Sequence, residues 1–194
     1  MITGYATPEG TKKFAERQHE VSQQNYKNIN DLTLSNVGIG TYLGNPDVET
    51  DSLVEDAVKQ SVLGGLNIID SAINYRAQKA ERSVGNAISQ LIDNNDISRE
   101  EIFVSTKNGY ITNDGDIKED LMQYVIREYG KTGIVKEGDI SPGYHCMTIP
   151  YLNDQLGRSL KNLGLDCIDL MYLHNSVEGQ THLPREQFLK NLKD

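Results

Sequence analysis

The stretch Leu66-Asn67-Ile68-Ile69-Asp70-Ser71-Ala72-Ile73-Asn74-Tyr75-Arg76-Ala77-Gln78-Lys79-Ala80-Glu81 decides how the chain is read. Leu66, Ile68 and Ile69 form a short apolar run closed by Asp70, the pattern of a strand buried on both faces and ending in a carboxylate. A charge at the end of such a strand needs a cation or hydrogen-bond donors waiting for it. Five residues on, Tyr75 carries a hydroxyl able to move a proton. By itself the stretch also suits a bland reading, with Asp70 as a helix cap or turn residue and Tyr75 as loop packing.

Working outward, two further apolar runs read as buried strands that end in a polar group. Ile102-Phe103-Val104-Ser105-Thr106-Lys107 ends in an ammonium, and Cys167-Ile168-Asp169-Leu170-Met171-Tyr172-Leu173-His174 in an imidazole. Around them lie apolar residues at helical spacing over 51–63, with Gly64-Gly65 as the stop, over 80–91, closed by Asn94-Asn95, and over 152–163, stopped by Gly164. Arg185 to Leu192 begins another helix. Upstream, Val37-Gly38-Ile39-Gly40-Thr41-Tyr42-Leu43-Gly44 is a Gly-rich strand and its exit, with glycines at the wrong spacing for a dinucleotide fingerprint. Residues 1–35 form an amino-terminal extension: a peripheral helix over 11–24 with solvated His19, then a small hairpin turning at Asn28-Ile29-Asn30-Asp31.

Regular strand–helix alternation requires right-handed crossovers and a parallel sheet with its polar strand ends on one edge. An open doubly wound sheet would carry the phosphate fingerprint in its first turn. A (β/α)8 barrel draws catalytic groups from the ends of several strands, which is the better fit.

Composition narrows the partners. Nineteen Lys and Arg against 28 Asp and Glu leave a formal charge of -9, the wrong sign for nucleic acid or anionic lipid. No leader-like segment opens the sequence and no apolar run is long enough to span a bilayer, so a cytoplasmic protein is expected. Cys146 and Cys167 lack metal or redox spacing and read as reduced thiols, Cys167 as a small core residue. His145 beside Cys146 has no partner spacing that would make it a metal ligand or nucleophile.

Asp70, Tyr75, Lys107 and His174 therefore converge on one rim. A tyrosine, with an unperturbed pKa near 10, needs a neighbouring cation to act as an acid or base at neutral pH. Lys107 supplies that charge, Asp70 holds Lys107, and His174 donates a hydrogen bond to an oxygen gaining negative charge. The set suits proton donation to a carbonyl oxygen while something else attacks its carbon.

At these residues the sequence resembles the aldo-keto reductase family. The resemblance rests on Gly38-Ile39-Gly40-Thr41-Tyr42, on Asp70 to Tyr75 with Glu81 and Gly85, on Ser105-Thr106-Lys107, and on Ser159 to Asp166 leading into Asp169 to His174. It implies a (β/α)8 TIM barrel that uses NADPH, with NADH not excluded, to reduce a small aldehyde or ketone. Tyr75 would be the general acid, Lys107 and Asp70 its tuning pair, and His174 the carbonyl-orienting residue. Thr41, Tyr42 and Asp70 would lie beside the nicotinamide and its ribose.

Two departures shape the expectation. Lys107 and His174 are 67 positions apart, roughly twice a βα unit, so about thirty residues are inserted within 108–149. That insertion holds a helix over Ile117 to Tyr129 and is expected to roof the pocket. Residues 36–194 make up only the first four βα units, against about 250 residues for a whole barrel. The expected partner is the missing carboxy-terminal half-barrel or, failing that, a second copy. A half-barrel acting only as a binding subunit and a Schiff-base barrel built on Lys107 are the competing readings; the latter leaves Tyr75 and His174 without roles.

Overall fold

The computed structural model describes residues 1–193. Helix α1 (Pro8–Glu16) and the hairpin β1 (Tyr26–Ile29) and β2 (Leu32–Ser35) precede strand β3 (Ile39–Gly40). There follow α2 (Val48–Leu63), β4 (Ile68–Asp70), α3 (Lys79–Asp93), β5 (Phe103–Asn108), α4 (Leu121–Val125), α5 (Ile149–Leu163), β6 (Leu170–Leu173), α6 (Ser176–Gln180) and α7 (Arg185–Lys193). Strands β3, β4, β5 and β6 lie side by side in that order, all parallel. A parallel sheet with a helix between successive strands is the pattern of a βα barrel wall, as the alternation predicts. No helix among the described residues is long and apolar enough to cross a membrane.

Register places the chemistry. Asp70 pairs with Ser105, so Lys107, two residues on, projects from the same face just beyond the Asp70 carboxylate. The alternate residues Ile69, Val104 and Thr106 face the helices and are fully buried. Ile69 and Val104 join Val58 and Val62 of α2 and the i, i+3, i+4, i+7 stripe Val84, Ala87, Ile88 and Leu91 of α3 in one core. Each valine, isoleucine or leucine among them contributes about 1.5–3 kcal/mol on burial.

The amino-terminal segment straps the bottom of the sheet. Asp169 Oδ2 accepts from Arg99 Nη2 at 2.8 Å and from Val104 N at 2.7 Å, while its Oδ1 accepts from Ala6 N at 2.7 Å.

Several expectations give way. Helix α1 stops at Glu16 rather than continuing to residue 24: Gln18 N donates to Ala15 O at 3.2 Å and His19 N to Arg17 O at 3.0 Å, tighter turns that leave the helical ladder, while the Arg17 guanidinium holds Glu101 Oε1 and Asp96 O, each at 2.8 Å. Within the insertion, Asp120 accepts from Met122 N and Gln123 N and so caps a helix beginning at Leu121, not Ile117. That helix widens into a π turn, Ile126–Gly130. Residues five apart stand about 140° apart on an α-helix; the wider turn swings Tyr129 toward Tyr124, and the two rings meet edge to face at 5.9 Å. Together with Ile111, Val125, Val135, Cys146 and Tyr151 they form a second small core. Strand β6 is not buried: Leu170 to Leu173 are 36–47% exposed, because its outer edge carries no neighbour among the described residues. Cys167, at its entry, is only half-buried, whereas Cys146 is the core cysteine.

Candidate active site

Asp70, Tyr75, Lys107 and His174 line one cleft of about 840 Å³ at the carboxyl ends of the strands, with Tyr42 at its edge. Lys107 Nζ donates to Asp70 Oδ2 at 2.6 Å and to Ser71 O at 2.7 Å, and Ser105 Oγ donates to Asp70 Oδ1 at 2.7 Å. The strand-end carboxylate thus has the cation and the donor it needs. The same ammonium stands over the Tyr75 ring, 4.7 Å from its centre, where the negative face of the ring attracts it. Tyr75 is also wedged edge to face between Tyr42, at 5.0 Å, and His174, at 5.6 Å.

Thr41 is not brought to the cleft. Its hydroxyl is buried against Ser71 Oγ at 3.0 Å and Asp70 O at 3.2 Å, where it ties β3 to β4. Tyr42, by contrast, is 65% exposed and offers an open aromatic face.

His174 Nδ1 lies 3.1 Å from Asn74 Oδ1. Burial first, then the positive charge of Lys107, hold its imidazole below the ordinary 6.5, against the opposing pull of Asp70. With the Asn74 oxygen on Nδ1, the neutral ring carries its proton there and offers Nε2 as an acceptor. Turning the amide over exchanges the two roles.

The backbone that presents Tyr75 is strained. Arg76, Ala77 and Gln78 all have positive φ (52°, 52° and 72°), a left-handed run that costs about 1–2 kcal/mol per non-glycine residue. Arg76 compensates from beneath: its buried guanidinium donates to Asn45 O at 2.9 Å and Asp47 O at 3.3 Å and pairs with Asp51. Gln78 Nε2 donates to Asn113 O and the Tyr124 hydroxyl. Behind β5, fully buried Glu81 accepts from Thr106 Oγ1 at 2.7 Å and Asn162 Nδ2 at 2.9 Å. Burial pushes its carboxyl above the ordinary carboxylate range despite these donors.

Sequence reasoning missed Asn74 and Tyr110, both of which line the cleft. Their signals were positional: one adjoins Tyr75, the other follows Lys107 by three residues. Tyr110 is the single residue of 108–149 that reaches the cleft, so the insertion flanks it rather than roofing it. No group of three or more His, Cys, Asp or Glu among the described residues is placed to hold a metal.

Sheet and strand-end polar groups together describe part of a βα barrel with a site of acid–base character. The model of the Aldo/keto reductase family matches residues 36–194. The chain belongs to that family of oxidoreductases. It is 29% identical over 149 residues to the NADH-specific methylglyoxal reductase of Escherichia coli (strain K12), covering 74% of this chain and 39% of the relative. It is 31% identical over 144 residues to aldo-keto reductase AKR2E4 of Bombyx mori, covering 73% and 34%. Among solved structures, aldo-keto reductase AKR11C1 from Bacillus halodurans in its holo form superposes with a TM-score of 0.52 at 22% identity, covering 87% of this chain and 45% of that one. The thermostable aldo-keto reductase Tm1743 gives 0.52 at 21%, covering 87% and 48%. The chain therefore spans less than half the length of these relatives, and its fold is the corresponding part of their barrel.

Proposed function

We propose that these residues form the carbonyl-reducing site of an NAD(P)H-dependent oxidoreductase acting on a small aldehyde or ketone. The observation that carries the reading is the position of Lys107 Nζ, 2.6 Å from the Asp70 carboxylate and 4.7 Å from the centre of the Tyr75 ring. Tyr75 donates its hydroxyl proton to the carbonyl oxygen. Lys107 sets its positive charge beside the negative charge the ring takes up as that proton leaves, and Asp70 fixes the ammonium there. His174, neutral at pH 7, hydrogen-bonds the same oxygen through Nε2 when the Asn74 amide places its nitrogen on Nδ1.

The exposed face of Tyr42 and the carboxylate of Asp70 fit the nicotinamide and ribose end of the dinucleotide. NADPH is the preferred reading, with NADH as the alternative. When bound, the cofactor supplies hydride to the carbonyl carbon. A cytoplasmic setting goes with this reading, because Cys146 and Cys167 lack the spacing of a disulfide framework.

The test is Tyr75→Phe in a chain carrying both halves of the barrel, since the 194-residue chain alone is expected to be inactive. Carbonyl reduction, followed by nicotinamide absorbance, falls by about 10²–10⁴-fold while cofactor affinity holds. Near-normal turnover would remove Tyr75 as the acid.

A second reading concerns partners and rests on the exposure of Leu170 to Leu173 along an open edge. A further half-barrel, from the same protein or from a second copy, covers this strand. Size-exclusion chromatography of residues 1–194 alone should then give dimers or larger species. A stable monomer with a sharp melting transition would sink the idea.

A further inference from the structure

His145 belongs to the inserted segment and has no part in the chemistry above, yet its ring is fully buried directly behind His174. The chain around it zips onto the exit of β5: Ile111 N donates to Tyr144 O at 2.7 Å and Cys146 N to Gly109 O at 2.8 Å. The ring lies flush between two glycine backbones. A Cβ on Gly109, whose φ is +136°, would come 2.4 Å from Nε2, and one on Gly179 would come 2.4 Å from Cδ2. No other residue type fits at either position without moving the ring.

Hydrogen bonding settles which nitrogen carries the proton. Gln180 Nε2, which can only donate, stands 3.0 Å from His145 Nδ1, while its amide oxygen accepts from Asn191 Nδ2 at 3.1 Å. Nδ1 is therefore the acceptor, and Nε2–H donates to the backbone carbonyl of His174 at 2.7 Å. Burial favours the same neutral ring by holding its pKa below the ordinary 6.5.

The carbonyl so gripped is where the chain leaves an open-edged strand. On one side the His174 N–H donates to Asn108 O at 2.9 Å; on the other, Asn175 turns into the left-handed region at φ 44°. The ring of Tyr110 fills the angle, edge to face with His145 at 4.9 Å and with His174 at 5.1 Å.

We propose that His145 is a positioning residue for the reaction: its Nε2–H, bonded to the His174 carbonyl, holds the His174 imidazole on Asn74 and aimed into the cleft. The insertion would thereby serve the site as a brace. The role rests on the carbonyl-reduction reading only for its effect on rate, and the brace itself is observable without turnover.

The experiment is histidine-ring ¹⁵N NMR on the full chain, run beside kinetics. His145→Phe keeps a flat ring and removes the N–H; His145→Gln returns an amide donor. In His145→Phe the His174 ring signals should move from their Nδ1-bonded position toward those of exposed His19, and in His145→Gln they should move back. With a generic aldehyde, kcat should fall about tenfold to a hundredfold in His145→Phe at an unchanged cofactor KM, as expected for a misplaced group, with the loss largely restored in His145→Gln. Unmoved His174 signals in His145→Phe, or a loss that His145→Gln does not restore, would overturn the proposal. Should His145→Phe not fold, Gln180→Leu removes the lock on the tautomer and should shift the His174 signals the same way; unshifted signals there count equally against it. Tyr75→Phe run in parallel separates the two readings. Retained turnover in that variant sinks carbonyl reduction, while the ring signals of His174 still decide whether His145 braces it.

Discussion

Lys107 keeps its ammonium over the face of Tyr75, 4.7 Å from the ring centre, while bonding Asp70 at the end of the neighbouring strand. Removing the charge in Lys107→Met should cut carbonyl reduction by about 10²-fold or more. Stability should fall by only about 1 kcal/mol, since the Asp70 side chain is 37% exposed and water takes over much of the lost pairing. Comparing turnover with thermal melting checks both halves; normal turnover would make Lys107 a plain strand-end residue.

Ala77 sits at φ 52°, and its methyl group makes no hydrogen bond that could offset the strain its Cβ incurs there. Relief of about 1–2 kcal/mol of left-handed strain exceeds the roughly 0.5–1 kcal/mol entropic cost of glycine. Ala77→Gly should therefore be neutral to about 1 kcal/mol more stable in denaturant unfolding. A clear loss would mean the turn after Tyr75 is held without strain.

Glu81 is raised above the ordinary 4.5 by burial. From 4.5 up to the raised value the folded chain keeps a proton that the unfolded chain has shed, so this group takes stability away as pH rises and restores it toward acid. Glu81→Gln should melt higher than the parent at pH 8, by about 1 kcal/mol or more, with the gap closing toward pH 4.5. A gap that does not change with pH would contradict the shift.

Asp169 and Arg99 form a buried ion pair at 2.8 Å with side chains 4% and 2% exposed. Asp169→Ala strands the guanidinium and frees two backbone donors, at about 3–5 kcal/mol. Urea unfolding measures this; a change under about 1 kcal/mol, the range of an exposed pair, would show that the clamp is ornamental.

The barrel architecture was legible because its signal is periodic: α2, α3 and α5 carry apolar stripes, and Asp70, Lys107 and His174 close apolar runs. The pairing of Asp70 with Lys107 followed from the cost of a bare carboxylate. What escaped lay in non-local geometry. Nothing in the one-dimensional pattern tells that Thr41 turns from the cleft to Ser71, that Asn74 meets His174 across 100 residues, or that His145 reaches the end of β6. The exposure of β6 was misjudged because hydrophobic runs report what a strand prefers, not whether a neighbour covers it.

The strap at the bottom of the sheet bears on how the protein is made. Ala6 N and Asp169 Oδ1 meet across 163 positions of sequence, and contacts so distant along the chain form late because the intervening loop must be closed first. On the ribosome, β3 to β5 can assemble while the strap and the guanidinium of Arg99 still lack their carboxylate. Nascent chains shorter than Asp169 should therefore linger as chaperone clients, and a pause in translation before this residue should lengthen that exposure.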